Sequence, residues 1–211
     1  MIWESFTNIL TQLITLMTME LGVSSAIAII LFTLLFRFIL SPLKSKMLID
    51  NHQKRKKLNK LKPELEVLKE RYKDDASTLI NKTQDLYKKH DVKLINKDSM
   101  IVTIVQSVLG LGMFSVIQKQ TFAGKFVWIE NVLNPDVILT FIVTLSLSIL
   151  MVLSFDSVSD INVWLIAIPT VMTFVFLINS PSILGIYFGI NNIVSIAEHH
   201  FANKKIKKMN I

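Results

Sequence analysis

The stretch LFTLLFRFILSPLKSKM, residues 31–47, places an arginine inside an apolar run. Arg37 lies seven residues before Lys44, which is about 10 Å along a helix. An arginine at the centre of a bilayer costs about 2.5 to 3.5 kcal/mol on insertion scales, so its presence needs a reason. Either the guanidinium reaches towards the membrane surface near the lysines, or it belongs to a polar site within the membrane. The stretch alone leaves both interpretations open.

The whole chain has the composition of a membrane protein that crosses the bilayer several times. Hydrophobic residues make up 51% of its 211 residues, charged residues make up 18%, and the mean hydropathy is +0.49. The absence of cysteine excludes disulfides, thiolate metal sites and a catalytic thiol. The first basic residue is Arg37, so the N-terminus lacks the positive region of a signal peptide, and we expect Met1 onward to belong to the mature chain.

Five apolar windows are candidates to cross a bilayer core about 30 Å thick. The sequence therefore predicts an all-α integral membrane protein with five transmembrane helices, at residues 21–43, 99–117, 137–155, 162–178 and 183–197. In the last of these, Gly185 and Gly189 form a GxxxG pair, which predicts close packing against another helix. The loop 156–161 is short and is expected to close a hairpin.

The basic residues predict the orientation of the chain. Of 23 lysines and arginines, sixteen lie between Lys44 and Lys97, whereas the loop 118–136 holds only Lys119 and Lys125. The positive-inside rule therefore places residues 44–98 in the cytoplasm and the loop 118–136 outside. Five spans then place the N-terminus outside and the basic tail, residues 198–211, in the cytoplasm.

The first twenty residues predict an amphipathic helix. Apolar side chains recur at spacings of three and four residues, with polar ones on another face. We expect this helix, residues 1–20, to lie along the outer membrane interface, and a sixth span is the alternative. The apolar positions are Ile2, Phe6, Ile9, Leu13 and Leu16.

Residues 44–98 predict a cytoplasmic antiparallel helical hairpin. A narrow coiled-coil seam in its first arm is interrupted at Asp74 and Asp75 and then resumes at the same spacing. Pro63 is expected to kink the first arm, and the small contact area between two short helices predicts a mobile hairpin. The seam of the first arm consists of Leu58, Leu61, Leu65, Leu68 and Tyr72.

No enzyme chemistry is predicted. The four histidines have no carboxylate or thiol at metal-ligand spacing, and the chain lacks a P-loop, a dinucleotide fingerprint and a GxSxG motif. We therefore expect no metal, no cofactor and no catalytic residue. The basic segment holds acidic residues throughout and only Tyr72 and Tyr87 as stacking aromatics, which favours anionic lipid over DNA and leaves ribosomal RNA as an alternative partner.

A second polar residue, Gln106, accompanies Arg37 at a similar predicted depth. No acidic residue lies in the middle of any predicted span, so we expect the guanidinium to have no counter-ion and to be hydrated in a cavity open to the cytoplasm. Several hydroxyl groups are candidates to line this cavity, although bonding to carbonyls of their own helix is their more common use. They are Ser107, Ser115, Thr144, Ser146, Ser148, Thr170 and Thr173.

A series of segments between residues 20 and 205 resembles the YidC insertases and their Oxa and Alb relatives. In order, they are TLLFRFILSPL, KLNKLKPELEVLKERYKDD, TQDLYKKHDV, IVQSVLGLGMF, FVWIENVLNPD and VWLIAIPTVMTFVFLINSPSILGIYFGINNIVSI. The chain departs from the family pattern in having VKLINKDSM before the second span, no proline at position 108, and Tyr187 followed by Phe188. We therefore expect a divergent member.

The resemblance implies a plasma-membrane insertase and chaperone for nascent membrane proteins in bacteria, which works without nucleotide. It implies a five-helix core whose hydrophilic groove is open to cytoplasm and lipid and closed to the outside. Arg37, Gln106 and Trp164 match groove positions, and the hairpin, with Leu58, Leu61, Pro63, Leu65, Leu68 and Tyr72, matches the segment that receives clients. The ribosome and the Sec translocon are further candidate partners.

Two other functions are compatible with the residues. One is a small channel or transporter in which Arg37 binds an anion, and the other is an assembly scaffold without insertion activity. A channel needs a polar path to both sides, whereas the outer halves of the predicted spans hold few polar residues. Our hypothesis is that Arg37 attracts the acidic tail of a client into the groove.

Overall fold

A computed structural model of the protein describes residues 2–92, 97–119, 124–155 and 162–209. Within these ranges the regular structure consists of seven α-helices, with no strand beyond an isolated bridge between Phe126 and Ile129. The all-α prediction is therefore confirmed. The helices are α1 (Ile2–Leu21), α2 (Ser25–Arg71), α3 (Ala76–Lys89), α4 (Lys97–Lys119), α5 (Val137–Leu153), α6 (Val163–Ile178) and α7 (Ser182–Lys208).

Two of the described helices, α2 and α4, are long and apolar enough to cross a membrane by length and composition. Two further apolar helices, α5 and α6, are shorter, with 17 and 16 residues. These properties agree with a helical membrane protein, and the number of five spans stays a prediction. The predicted hairpin loop 156–161 lies outside the described residues.

The chain divides into two compact units. The first, which we call the bundle, comprises Met1–Ser41 and Val105–Phe201, and the second comprises Pro42–Ile104 and Ala202–Ile211.

The chain turns between α1 and α2 at Gly22, which has a φ of 60°. Glycine adopts this left-handed backbone conformation without strain. The first predicted span was given a start at residue 21, whereas α2 begins at Ser25.

The apolar core of the bundle lies where the start of α2, the end of α4 and the start of α7 meet. Ile29, Val116 and Ile183 are among its fully buried side chains. Because the start of α2 meets the end of α4, these two helices run in opposite directions. The starts of α2 and α7 meet in the same core, so those two run in the same direction.

The N-terminal helix α1 contributes to this core. Leu10 and Ile14 are buried, whereas Ile9 and Leu13 of the predicted apolar stripe are exposed. The helix therefore carries two apolar faces, one against the bundle and one exposed, and of the predicted stripe only Phe6 packs against the bundle. Gly112 permits this packing, because a Cβ there would lie 2.5 Å from Phe6 Cε1.

The segment that follows α4 fixes the start of α7. The backbone N–H of Ile183 donates to the Val132 carbonyl at 3.0 Å, and that of Ser182 donates to the Asn134 carbonyl at 3.1 Å. Further along α7, a Cβ at Gly185 would lie 2.9 Å from Leu139 Cδ2 of α5, and the neighbouring helical turn at Gly189 is similarly close to α5. The prediction of close packing at the GxxxG pair is confirmed.

In the second unit, α3 packs against the last turns of α2. Leu61 and Leu86 form a small apolar cluster with Val92, and Leu58, Leu65 and Leu68 pack against it. The helix α2 continues through Pro42 and Pro63. The predicted kink at Pro63 and the mobility of the hairpin stay predictions.

Two polar contacts of the second unit involve the starts of α3 and α4. The side chain of Asp75 caps α3, and hydrogen bonds from the Thr78 hydroxyl and backbone N–H lower the pKa of its carboxyl. Lys46 Nζ lies 2.5 Å from Asp98 Oδ2, and this hydrogen bond together with the carboxylate charge raises the pKa of the lysine. The ion pair joins α2 to the first turn of α4.

Candidate functional site

Arg37 lies on α2, about 18 Å along the helix from Ser25. Each nitrogen of its guanidinium donates one hydrogen bond to α7. Nε donates to Asn191 Oδ1 at 2.8 Å, Nη2 to the Asn191 carbonyl oxygen at 3.3 Å, and Nη1 to Glu198 Oε2 at 3.3 Å. The arginine and glutamate side chains are 12% and 10% exposed, so the ion pair is largely buried.

Asn191 is oriented by its own helix. Its Nδ2 donates to the Tyr187 carbonyl oxygen at 2.8 Å, one turn earlier on α7. This bond directs Oδ1 towards the guanidinium, so that Asn191 contacts Arg37 through both its side chain and its main chain. The asparagine is therefore the main anchor of the arginine.

The expectation that Arg37 has no counter-ion is wrong. Glu198 was assigned to the basic tail, because the apolar window ends at Ala197, whereas α7 continues without a break to Lys208. The long arginine side chain meets the glutamate near the end of that window. Charges within membrane helices commonly pair with one another, because neither is then left uncompensated in a medium of low dielectric constant.

A cavity of about 210 Å³ lies beside the guanidinium, between α2, α4 and α7. Its volume allows several water molecules, at about 30 Å³ each. Arg37 and Gln106 both line it, so the structure brings these two predicted residues together. The other polar lining groups are Thr33, Tyr187 and Asn191, and the remaining walls are aromatic and aliphatic.

A second, more open cleft of about 550 Å³ lies between α2 and α7. Its walls are apolar, with Leu34 and Phe38 from α2 and Val194 from α7 among them. Arg37 and Glu198 supply charged groups to this cleft. Arg37 lines both spaces, so this residue lies at the boundary between the cavity and the cleft.

The seven hydroxyl residues proposed as cavity lining are not among the residues that line it. Thr144, Ser146 and Thr170 each donate to a carbonyl of their own helix, which was the more common alternative. Ser148 also bonds to Thr170 at 3.0 Å and so joins α5 to α6. Thr144, Ser146, Ser148 and Thr170 therefore bond within and between helices in the described structure.

Trp164 lies apart from the cavity and the cleft, in the first turn of α6. Its side chain is 71% exposed, and its backbone N–H donates to Asn162 Oδ1 at 3.1 Å, which caps the helix. Most large apolar side chains of α6 are exposed in the same way. Its assignment to the groove stays a prediction.

The leucines predicted to dock clients face into the second unit. Leu61 is buried and Leu58, Leu65 and Leu68 are half-buried against the cluster with α3. Pro63 is exposed and Tyr72 is half-buried just after the end of α2. The leucine seam thus holds the two helices together, and its contact with clients stays a prediction.

Three residues of α7 were missed in the sequence: Asn191, Asn192 and Glu198. A spacing of seven residues places Asn191 and Glu198 on the same helix face, which is the signal that was available. Asn192 points elsewhere, because its Nδ2 donates to the Val143 carbonyl and to Ser146 Oγ of α5. Adjacent asparagines therefore join α7 to two different helices.

The sequence of the chain is similar to that of known proteins. A family model described as 60Kd inner membrane protein matches residues 16–209. Proteins named membrane protein insertase YidC are similar to the chain: that of Syntrophus aciditrophicus strain SB is 29% identical over 188 residues, that of Citrifermentans bemidjiense 26% over 186, and that of Geobacter sp. strain M21 26% over 187.

These similarities cover most of this chain and a smaller part of the relatives. The matched regions are 85%, 85% and 86% of this chain, and 33%, 33% and 34% of the three relatives in the same order. The chain thus spans about a third of the length of the curated relatives that it matches.

Proposed function

We propose that this chain, which belongs to the 60Kd inner membrane protein family, is a membrane protein insertase of the YidC and Oxa type. It inserts nascent membrane proteins into the bacterial plasma membrane and assists their folding, without nucleotide and without a catalytic residue. The observation that carries this proposal is the position of Arg37, beside a cavity at one end of a bundle whose other end is closely packed.

The physical task of an insertase is to move a polar tail across hydrocarbon. Each polar group that enters an apolar medium without a hydrogen-bonding partner costs several kcal/mol, so the dry distance determines the barrier. A cavity that holds water and a cation part of the way across the membrane shortens this distance. Arg37 attracts the acidic tail of the client, and Gln106 together with the water of the cavity offers it hydrogen bonds. The apolar cleft between α2 and α7 gives the client a path towards lipid.

The lengths of α5 and α6 support the same task. Helices of 17 and 16 residues extend about 24 to 26 Å, which is less than the thickness of an average hydrocarbon core of about 30 Å. A bilayer adjusts to short apolar helices by thinning locally. A thinner bilayer beside α5 and α6 lowers the barrier for the client tail.

Five spans, from α2, α4, α5, α6 and α7, form the membrane core of the proposed insertase, with α1 along the outer interface. The N-terminus lies outside, and the second unit and the end of α7 lie in the cytoplasm. The basic residues of α2 after Pro42 and of the end of α7 support this orientation. The hairpin of α2 and α3 receives clients, and the ribosome and the Sec translocon are candidate donors of those clients.

The charge of Arg37 is tested by insertion into proteoliposomes. Two client proteins are compared that differ only in Asp or Asn in the tail that crosses the membrane. We expect Arg37→Ala to reduce insertion of the Asp client about tenfold, which corresponds to about 1.4 kcal/mol, and to affect the Asn client less. Arg37→Lys retains most activity, because charge matters more than the shape of the guanidinium.

The control variant is Lys119→Ala, which removes a positive charge at the last residue of α4. We expect it to insert both clients as the wild type does. Equal insertion of the Asp client by wild type and Arg37→Ala would contradict the proposal, and so would ion flux through the reconstituted protein that depends on Arg37.

A further inference from the structure

We propose that Glu198 determines which clients enter the cavity, because its carboxylate occupies Arg37 until a client carboxylate replaces it. This inference rests on the proposed insertase function and deepens it by naming the group that a client carboxylate has to displace from the guanidinium. Neutral tails leave the pair of Arg37 and Glu198 intact.

The first argument is that the two charges neutralise each other. In the described residues, Arg37 and Glu198 form an ion pair with both side chains largely buried. A buried pair presents little net charge to the neighbouring cavity, so it attracts an anion less strongly than a lone arginine. Arg37 therefore becomes a stronger anion site when Glu198 moves away.

The second argument concerns the strength of each contact. The Nη1 to Oε2 distance of 3.3 Å is longer than the 2.7 to 2.9 Å typical of strong charge-assisted hydrogen bonds, and only one of the two carboxylate oxygens forms this contact with Arg37. The bond from Nε to Asn191 is shorter, at 2.8 Å. Asn191 therefore holds the guanidinium through two contacts, whereas Glu198 is joined to it through one, and that single contact is the one that we expect to exchange.

The third argument is that a client can bind before Glu198 leaves. A guanidinium has five N–H groups, and three of those of Arg37 are engaged by the described residues. Arg37 lines both the cavity and the cleft, so a client carboxylate in either space lies next to this residue. The guanidinium then stays paired with a carboxylate while Glu198 is replaced.

The fourth argument is that Glu198 has room to move. Its side chain lines the cleft of about 550 Å³ between α2 and α7, and the Ser41 side chain lines the same space. The three rotatable bonds of a glutamate allow the carboxylate to turn from the guanidinium towards this cleft. The helix itself need not shift.

The test uses the full chain in vesicles of phosphatidylethanolamine and phosphatidylglycerol, with the Asp and Asn clients described above. Glu198→Gln keeps the size of the side chain and removes its charge. We expect it to raise insertion of the Asp client roughly fivefold, the size of a coupling of about 1 kcal/mol, and to leave the Asn client unchanged. Glu130→Gln is the matched control, because it removes a carboxylate from the loop between α4 and α5.

A purely structural role for Glu198 has a different signature. It would lower the unfolding temperature of Glu198→Gln and reduce insertion of both clients together. Glu198→Asp, which keeps the charge on a shorter side chain, should raise insertion of the Asp client by a smaller factor than Glu198→Gln. If neither variant raises the ratio of Asp to Asn client insertion, the inference is overturned.

The same experiment separates the inference from the proposed function. Suppose that the wild type inserts the Asp client better than Arg37→Ala, and that both Glu198 variants insert it as well as the wild type does. In that case only the role of Glu198 is refuted. If wild type and Arg37→Ala insert it equally, the proposed function fails, and the inference fails with it.

Discussion

The two ends of the bundle share the helices α2, α4 and α7, with α1 added at one end, and they differ in almost every physical respect. At the packed end, which we define by Ile14, Ile29, Val116 and Ile183, the side chains are apolar and essentially inaccessible. At the polar end, which we define by Arg37, Gln106, Asn191 and Glu198, a charged cluster borders a cavity and a cleft. On α2 the two ends are only eight residues apart, or about 12 Å.

The difference teaches how a membrane protein holds an open site. Lipid is as apolar as leucine, so helices in a bilayer associate by close packing and hydrogen bonds rather than by the hydrophobic effect. The packed end supplies the close packing, with glycine at the closest helix approaches. The polar end can then remain partly empty, because its hydrogen bonds and the packed end together keep the helices in place.

The largest expected effect follows from removing side-chain volume at each end. Ile29→Ala should create a cavity that the packed neighbours cannot fill, and we expect a loss of about 2 kcal/mol in the free energy of unfolding. This is the lower end of the range for such substitutions, because an unfolded segment in lipid also keeps its isoleucine in an apolar medium. Thermal unfolding in detergent micelles, followed by tryptophan fluorescence, measures it.

Leu109→Ala is the matched variant at the polar end. Leu109 already borders the cavity and is only half-buried, so its truncation removes fewer contacts. We expect less than half the loss found for Ile29→Ala. Equal losses would show that the two ends are packed alike, and the comparison would then be wrong.

A smaller effect is expected from adding volume to α4. Gly112 faces the Phe6 and Leu10 side chains at distances below 3 Å from an added Cβ, whereas the nearest atom at Gly110 is the Tyr187 hydroxyl at 3.8 Å. Gly112→Leu should overpack the packed end and lower the free energy of unfolding by about 1 kcal/mol, the lower end of the usual range, because the Phe6 and Leu10 side chains can shift. Gly110→Leu enters the cavity and should leave stability almost unchanged, as measured by the same unfolding experiment.

These two variants also separate folding from function. Gly110→Leu fills part of the cavity of about 210 Å³ and should reduce insertion of the Asp client while the protein remains folded. A stable Gly112→Leu together with an unstable Gly110→Leu would reverse the assignment of the packed and polar ends.

The helical fold and the arginine site were both accessible from the sequence. The cost of placing Arg37 in an apolar run identified the site, and antiparallel counting placed Gln106 beside it, as found in the cavity lining. The GxxxG pair of α7 also indicated close packing correctly. Each of these predictions depends on local residue types and on helix geometry alone.

Other features depend on contacts that a sequence window does not contain. The apolar window for the last span ended at Ala197, so Glu198 was assigned to a tail although α7 continues through it. The role of Gly112 depends on Phe6 and Leu10 of α1, and the spacing of residues within α1 does not show which helix they contact. Long-range pairing decides both features, and periodicity within one segment does not report it.

The smallest expected effect distinguishes the two adjacent asparagines of α7. Asn192 Nδ2 donates to the Val143 carbonyl at 3.2 Å and to Ser146 Oγ at 3.0 Å, so Asn192→Ala removes hydrogen bonds that hold α7 against α5. Polar contacts between membrane helices contribute about 0.6 kcal/mol on average, and we expect a loss of that size in unfolding free energy with no change in client preference.

Asn191→Ala should behave in the opposite way, because Asn191 binds the guanidinium at the polar end rather than a neighbouring helix backbone. Without this anchor Arg37 becomes mobile, so the preference for the Asp over the Asn client should fall in the insertion assay. If Asn192→Ala instead alters client preference while Asn191→Ala alters only stability, the boundary between the packed and polar ends lies elsewhere on α7. These two substitutions, one residue apart, thus distinguish the face of α7 that packs against α5 from the face that selects clients.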